Sequence, residues 1–180
     1  MDLMPATTLV DRVLAHAPNC PRPLAERTIM DAAREFCDHT GAHKEPSDKL
    51  PGIPGVMLYE FDSPAQELTI ARMEKPSHRG TMTRNILELD STPGTDLVYT
   101  TLILKPAINS RKLSTVLVEH YPESITAGAL ARLLRIPGSA WANVELANMY
   151  QMQFSDHLHN ARIAVEQPST VKPRGRKWAC

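Results

Sequence analysis

Apolar residues recur at helical steps over residues 7–40, alternate loosely over 44–121, and return to the helical step over 122–167. In the first zone, Thr8-Leu9-Val10-Asp11 has the form of a capping box, with Thr8 bonding orphan amides and Asp11 reaching back. Leu9, Val10, Val13, Leu14 and Ala17 then make a short apolar stripe that Pro18 stops. A second helix is predicted from Pro21-Arg22-Pro23, because proline suits a first turn. Ala25, Ile29, Ala32, Ala33, Phe36 and Cys37 form its stripe, and Gly41 is placed to end it.

The middle zone is punctuated by proline, at Pro46, Pro51, Pro54, Pro64, Pro76, Pro93 and Pro106, with Pro122 just past its edge. Between these breaks the β-branched and apolar content predicts strands at 56–61, 68–73, 82–89, 97–104 and 113–120. The third zone predicts a helix from Pro122-Glu123, carrying Ile125, Ala129, Leu130, Leu133, Leu134 and Ile136 and closed by Pro137-Gly138. Asn143 is a good N-cap for the longest helix, whose stripe runs Val144, Ala147, Tyr150, Phe154, Leu158, Ala161 and Val165 before Pro168. Gly128 would weaken its helix by about 1 kcal/mol against alanine, so a second helix is expected to pack closely over it. Trp141, just before a helix N-cap, reads equally as a hydrophobic staple or as an interface anchor.

The expected fold class is α+β: an α-helical bundle with an inserted small antiparallel β-sheet or sandwich and an extended C-terminal arm. One domain is expected over residues 1–167, with helices in 7–40 and 122–167 and the β-rich insert at 44–121. The arm is 168–180.

Charge sharpens that division. Twenty basic and twenty acidic residues leave no formal net charge over 180 residues. That excludes a protein whose whole surface coats nucleic acid or an anionic membrane. The final thirteen residues nevertheless hold Lys172, Arg174, Arg176 and Lys177 and no acid, whereas residues 1–167 hold 16 basic and 20 acidic side chains. Trp178 stands among those cations. Three readings stay open for this segment: a solvated tail, a phosphate-binding tail, or an arm that docks on an acidic partner with Trp178 as anchor. Cys20, Cys37 and Cys180 cannot all pair within one chain, which points to synthesis in a reducing compartment. The start of the chain lacks the basic and apolar regions of a signal peptide, and no apolar run approaches a membrane span of about 20 residues.

No constellation selects a chemistry. His157 and His159 sit two apart on a helix and face different ways; His39 and His43 are separated by Gly41. Cys37 lies on an apolar stripe, where a thiol is ordinarily packing. Glu60, Asp62, Glu67, Glu74, Glu88 and Asp90 flank strands as a solvated rim would, and the chain has no nucleophile elbow, P-loop or dinucleotide fingerprint. The expectation is no catalytic residue, no metal and no cofactor. A hydrolase built from the scattered carboxylates and histidines would need a pocket with perturbed ionisation.

The segment Tyr121-Pro122-Glu123-Ser124-Ile125-Thr126-Ala127-Gly128-Ala129-Leu130-Ala131-Arg132-Leu133-Leu134-Arg135-Ile136-Pro137-Gly138 resembles part of the head-to-tail adaptor (connector) proteins of tailed bacteriophages. There, a similar helix is followed by a tryptophan and an N-capped long helix, here Trp141, Asn143, Leu146, Ala147, Tyr150 and Phe154, with Ala161-Arg162 near its end. Cys20-Pro21, then Ala32-Ala33-Arg34-Glu35-Phe36-Cys37, is similar to their entry helix, and Gly55-Val56-Met57-Leu58-Tyr59 to the first strand of their β-rich insert. The resemblance covers roughly residues 8–166 and departs most over Lys75–Thr95.

It implies a virion structural protein of the neck, made in the host cytoplasm, without enzymatic activity. Such a protein assembles as a homo-oligomeric ring, usually dodecameric, under the portal protein. The ring extends the channel through which genomic DNA passes without sequence-specific binding, and it offers a surface to a downstream tail or nozzle protein. No membrane is involved. The resemblance makes Lys172, Arg174, Arg176, Lys177 and Trp178 the portal-docking arm. Gly128, Trp141, Tyr150 and Phe154 are expected in helix packing or at the ring interface. The alternative is a small nucleic-acid-binding protein acting through its basic C-terminal tail.

Overall fold

A computed structural model describes residues 2–83 and 85–166. Among these residues the chain is α+β, with five helices and three small antiparallel sheets. The C-terminal segment 168–180, and with it the expected arm, lies outside the described residues.

Strand β1 (Leu3–Pro5) precedes helix α1 (Thr7–Leu14), and helix α2 spans Arg22–Thr40. The capping box expected at the head of α1 does not form. Ala6 occupies the N-cap without a side-chain bond, and the Thr8 hydroxyl instead donates back to Pro5 O at 2.7 Å. Pro5 sits in β1 opposite Lys112, and the helix starts at Thr7, two residues before the start that a Thr8 cap indicates. Helix α2 begins after Pro21 and ends at Gly41, which is left-handed (φ 63°) and returns its N–H to Cys37 O at 2.9 Å. A side chain at this φ is strained, so glycine suits the position.

The β-rich insert contains β2 (Lys44–Pro46), β3 (Leu58–Glu60), β4 (Leu68–Glu74), β5 (Gly80–Thr83), β6 (Ile86–Leu89) and β7 (Thr101–Pro106); β8 (Lys112–Ser114) follows and pairs with β1. The sheets run β2-β7-β4 and β3-β6-β5. Two sequence expectations are corrected here. Residues 82–89 form not one strand but the hairpin β5–β6, with Thr83 opposite Ile86. Residues 113–120 form only the end of β8 before helix α3 (Thr115–His120). Leu117 and Val118 of α3 face the helical core while Val116 and Glu119 face out, so a β-branched run is overridden by where its apolar side chains can be buried. β1 and β2 carry no alternation over three residues and are not legible in the sequence.

Helix α4 spans Pro122–Leu133 and α5 spans Val144–Glu166. Asn143 caps α5, its Oδ1 accepting the N–H of Leu146 at 3.0 Å. Val144 is 63% exposed, contrary to its expected place on the buried stripe; the inward face is Ala147, Phe154 and Ala161, with Leu146, Tyr150 and Leu158 half-buried.

Two apolar cores result. The helical core joins α1 (Leu9, Val13), α2 (Ile29, Phe36), α3 (Leu117), α4 (Ile125, Leu130) and α5 (Phe154). The second lies among the strands and contains Tyr59, Phe61, Leu87, Leu89, Val98, Leu102 and Leu104. Polar side chains of α2 tie the halves together. Arg34 donates to the carbonyls of Pro106, Ala107 and Ile108, and Asp38 receives Lys105 at 2.8 Å while its carbonyl receives Arg72.

Candidate functional site

The four body residues singled out in the sequence fall into two groups. Gly128 of α4 and Phe154 of α5 touch across the helical core. A Cβ added at Gly128 would stand 2.8 Å from Phe154 Cε2 and 3.0 Å from Ala32 Cβ on α2. Glycine therefore lets three helices converge, with Phe154 filling the space that a side chain would take. Both residues are buried within one chain, so neither offers surface to a neighbouring subunit. The Arg132 guanidinium lies over the Phe154 ring, 5.7 Å from its centroid, and pairs with Glu35 of α2.

Trp141 and Tyr150 sit at the margin of the same core, half-buried. Tyr150 meets His16 edge-to-face at 5.8 Å, and burial raises its hydroxyl pKa. The Trp141 indole N–H is buried without a hydrogen-bond partner among the described residues. Lys172, Arg174, Arg176, Lys177 and Trp178 lie outside the described residues.

Cys37 and His43 are buried ionisable groups of the body. Burial pushes the Cys37 thiol up to about 12, where a thiolate is unavailable as nucleophile or ligand at neutral pH. Burial also lowers the His43 pKa, against the opposing pull of Glu45, and His43 Nδ1 has no partner among the described residues. For Glu74, burial acts to raise the pKa, but hydrogen bonds from Lys44 and Arg72 outweigh it and hold the carboxyl below its ordinary value. Among the described residues no three His, Cys, Asp or Glu side chains gather as a metal site would need. His157 and His159 stand on α5 with different exposure, half-buried and exposed. No helix of the described residues is long and apolar enough to cross a membrane.

Three surface features escaped sequence reasoning. A groove of about 690 Å³ runs between the first half of α2 and the loop 107–111, with Met30 and Ala6 among its lining residues and Arg27, Asp31, Arg34 and Arg111 beside them. Ile108, 85% exposed, stands on its rim, in the loop that Arg34 grips. The outer face of α5 carries a second stripe at steps of three and four: Glu145, Met149, Met152, Asp156, His159 and Ile163 are all exposed, Met152 by 71%. Read with the inward stripe, this spacing marks a helix with two apolar-bearing faces. The third feature is the exposed edge of β3, inside the strand expected at 56–61: Leu58 and Glu60 are exposed on either side of buried Tyr59.

No protein-family model matches the chain, and a search of curated proteins finds no significant match.

Proposed function

We propose that this chain is a head-to-tail adaptor of a tailed bacteriophage: a homo-oligomeric ring that docks under the portal, continues the DNA channel and presents a surface to the tail. The observation that carries the reading is the Gly128 seam. The same segment whose sequence resembles the adaptors, Tyr121 to Gly138, supplies the glycine against which the N-capped long helix lays Phe154 and the entry helix lays Ala32. The three helical stretches that carry the resemblance thus pack on one another, and the β-rich insert lies between the first and second of them in sequence.

Two further observations support a part in an assembly. Helix α5 leaves Met149, Met152 and Ile163 on a face without a partner among the described residues. The chain also segregates its charge, with four cations and a tryptophan beyond the helical body. In this reading Lys172, Arg174, Arg176, Lys177 and Trp178 form the portal-docking arm. Trp178 provides a desolvated anchor and the cations meet acidic or polar groups. The helical body forms the ring wall, and no step of chemistry is required of it.

The test is co-sedimentation with portal-bearing, DNA-filled heads. The full chain is expected to pellet with heads, and a chain lacking residues 168–180 is expected to stay folded but remain in the supernatant. Trp178→Ala should weaken attachment more than loss of any one of the four cations. Equal attachment by the truncated chain would remove the arm from docking. Failure of the full chain to attach, together with DNA binding that falls steeply with salt, would replace the adaptor by the nucleic-acid-binding alternative.

A further inference from the structure

Strand β3 presents an open edge of defined chemistry. Leu89 donates its N–H to Met57 O at 2.8 Å and Phe61 donates to Asn85 O at 2.8 Å, on either side of the Tyr59–Leu87 pair. Met57, Tyr59 and Phe61 therefore direct their backbone groups toward β6. Antiparallel alternation then turns the N–H and C=O groups of Leu58 and Glu60 outward. Among the described residues β3 pairs with β6 alone, so these groups form an unpaired sheet edge.

The side chains beside that edge select an occupant. Leu58 is 62% exposed, Glu60 shares its face, and Asp62 follows at the next alternate position, also exposed. Across β6 the same face continues with Ile86 and Glu88. Glu60 accepts a hydrogen bond from Asn85, and no described cation pairs with Glu60, Asp62 or Glu88. The edge thus suits an extended strand with cations at every second position and an apolar end. Residues beyond the described helix have that pattern: Lys172, Arg174, Arg176 and Trp178 alternate with Val171, Pro173, Gly175 and Lys177.

We propose that residues 172–178 of a second copy of this chain add to β3 as an antiparallel strand, with Lys172 opposite Asp62, Arg174 opposite Glu60 and Arg176 opposite Leu58. In this register the N–H groups of Arg174 and Arg176 meet the open carbonyls of β3. Pro173, which has no N–H to donate, faces away from the ladder. Each cross-strand pair on the outward face then joins opposite charges or covers Leu58, and Trp178 extends past Leu58 toward Val56. The donor is a second copy, as in an assembly whose copies supply the segment to one another, and the isotope labels below separate that source from the chain's own segment. The inference rests on the adaptor reading only in requiring several copies to meet, and docking of the arm on a portal would require its release from this edge.

The test uses the full chain and no heads. Equal amounts of ¹⁴N- and ¹⁵N-labelled protein are mixed and treated with a carbodiimide, which joins amines to carboxylates in contact. The expected product is a mixed-isotope cross-link from Lys172 to Asp62, or to Glu60 one alternate position away. Slowed amide exchange at Leu58 and Glu60 should grow with concentration, and a synthetic peptide of residues 168–180 should compete. Glu60→Lys should lower the cross-link yield roughly tenfold by opposing like charges. Leu58→Pro removes an outward N–H only, so it should abolish cross-linking while β3–β6 protection persists; if that variant does not fold, Glu60→Lys decides. Links confined to one isotope, or no slowing at Leu58 and Glu60, would overturn the proposal. Head attachment is read separately, so either result leaves the adaptor test standing on its own.

Discussion

Gly128 is the residue on which the helical packing turns most sharply. Alanine there would gain about 1 kcal/mol of helix propensity. Its methyl group would also press on Phe154 and Ala32, both buried on other helices, at distances below ordinary contact. Overpacking of this kind costs roughly 1–3 kcal/mol. Gly128→Ala is therefore expected to destabilise by about 1 kcal/mol and Gly128→Val by more, read from the midpoint of urea unfolding. Phe154→Ala empties the other side of the same contact and should cost about 3–5 kcal/mol.

His43 gives a residue-scale test of a different kind. Its pKa is lowered in the folded chain, chiefly by burial, from an ordinary value of 6.5. The unfolded state takes up the proton first as pH falls, so folding loses stability below about pH 6.5. His43→Gln is expected to remove that part of the pH dependence, measured by unfolding at a series of pH values, while the loss at lower pH remains. Glu74 contributes there with its own sign: its lowered pKa gives stability above the free carboxylate value that is lost as pH falls through the folded one.

Among the elements, the loop after β7 depends on a side chain from α2. Arg34 fans its guanidinium over three successive carbonyls and also pairs with Asp31 at 2.7 Å. Arg34→Ala should cost about 2 kcal/mol, because it leaves carbonyls unpaired beside the groove. Arg34→Lys should recover little of it, since an ammonium cannot serve the fork geometry. Amide exchange of residues 107–111 is the direct readout, and faster exchange confined to that loop is expected.

The elements also show what a sequence can carry. Helix α2 is legible because Pro21-Arg22-Pro23 and Gly41 punctuate it and its apolar residues keep one step. The N-cap of α5 is legible because Asn143 acts locally. The hairpin at 80–89 is not, because its strands are only four residues each and β6 alone buries residues of the run, Leu87 and Leu89, while β5 buries none. Helix α3 is missed because Val116, Leu117 and Val118 read as strand until the core that buries two of them exists. The Arg34 clamp and the β3 edge depend on partners more than 20 residues away, which no local pattern shows.

At the scale of the whole molecule, the chain joins a helical core to a β-rich core through polar contacts from one face of α2, and its final thirteen residues carry four cations and no acid. The α5 stripe, the β3 edge and the exposed loop at Ile108 all lie on the outside of that frame. None requires the frame itself to change. Removing residues 168–180 is accordingly expected to shift the thermal midpoint little, since too little apolar area is lost to matter, while abolishing head attachment.

The central claim is that copies of this chain form a ring at the portal. Electron microscopy of the purified full chain mixed with portal-bearing heads tests it most directly. The account predicts a ring with an open axial channel, seated on the portal vertex and absent when residues 168–180 are removed. Heads with a bare vertex at every protein concentration, and a chain that remains monomeric beside them, would contradict it.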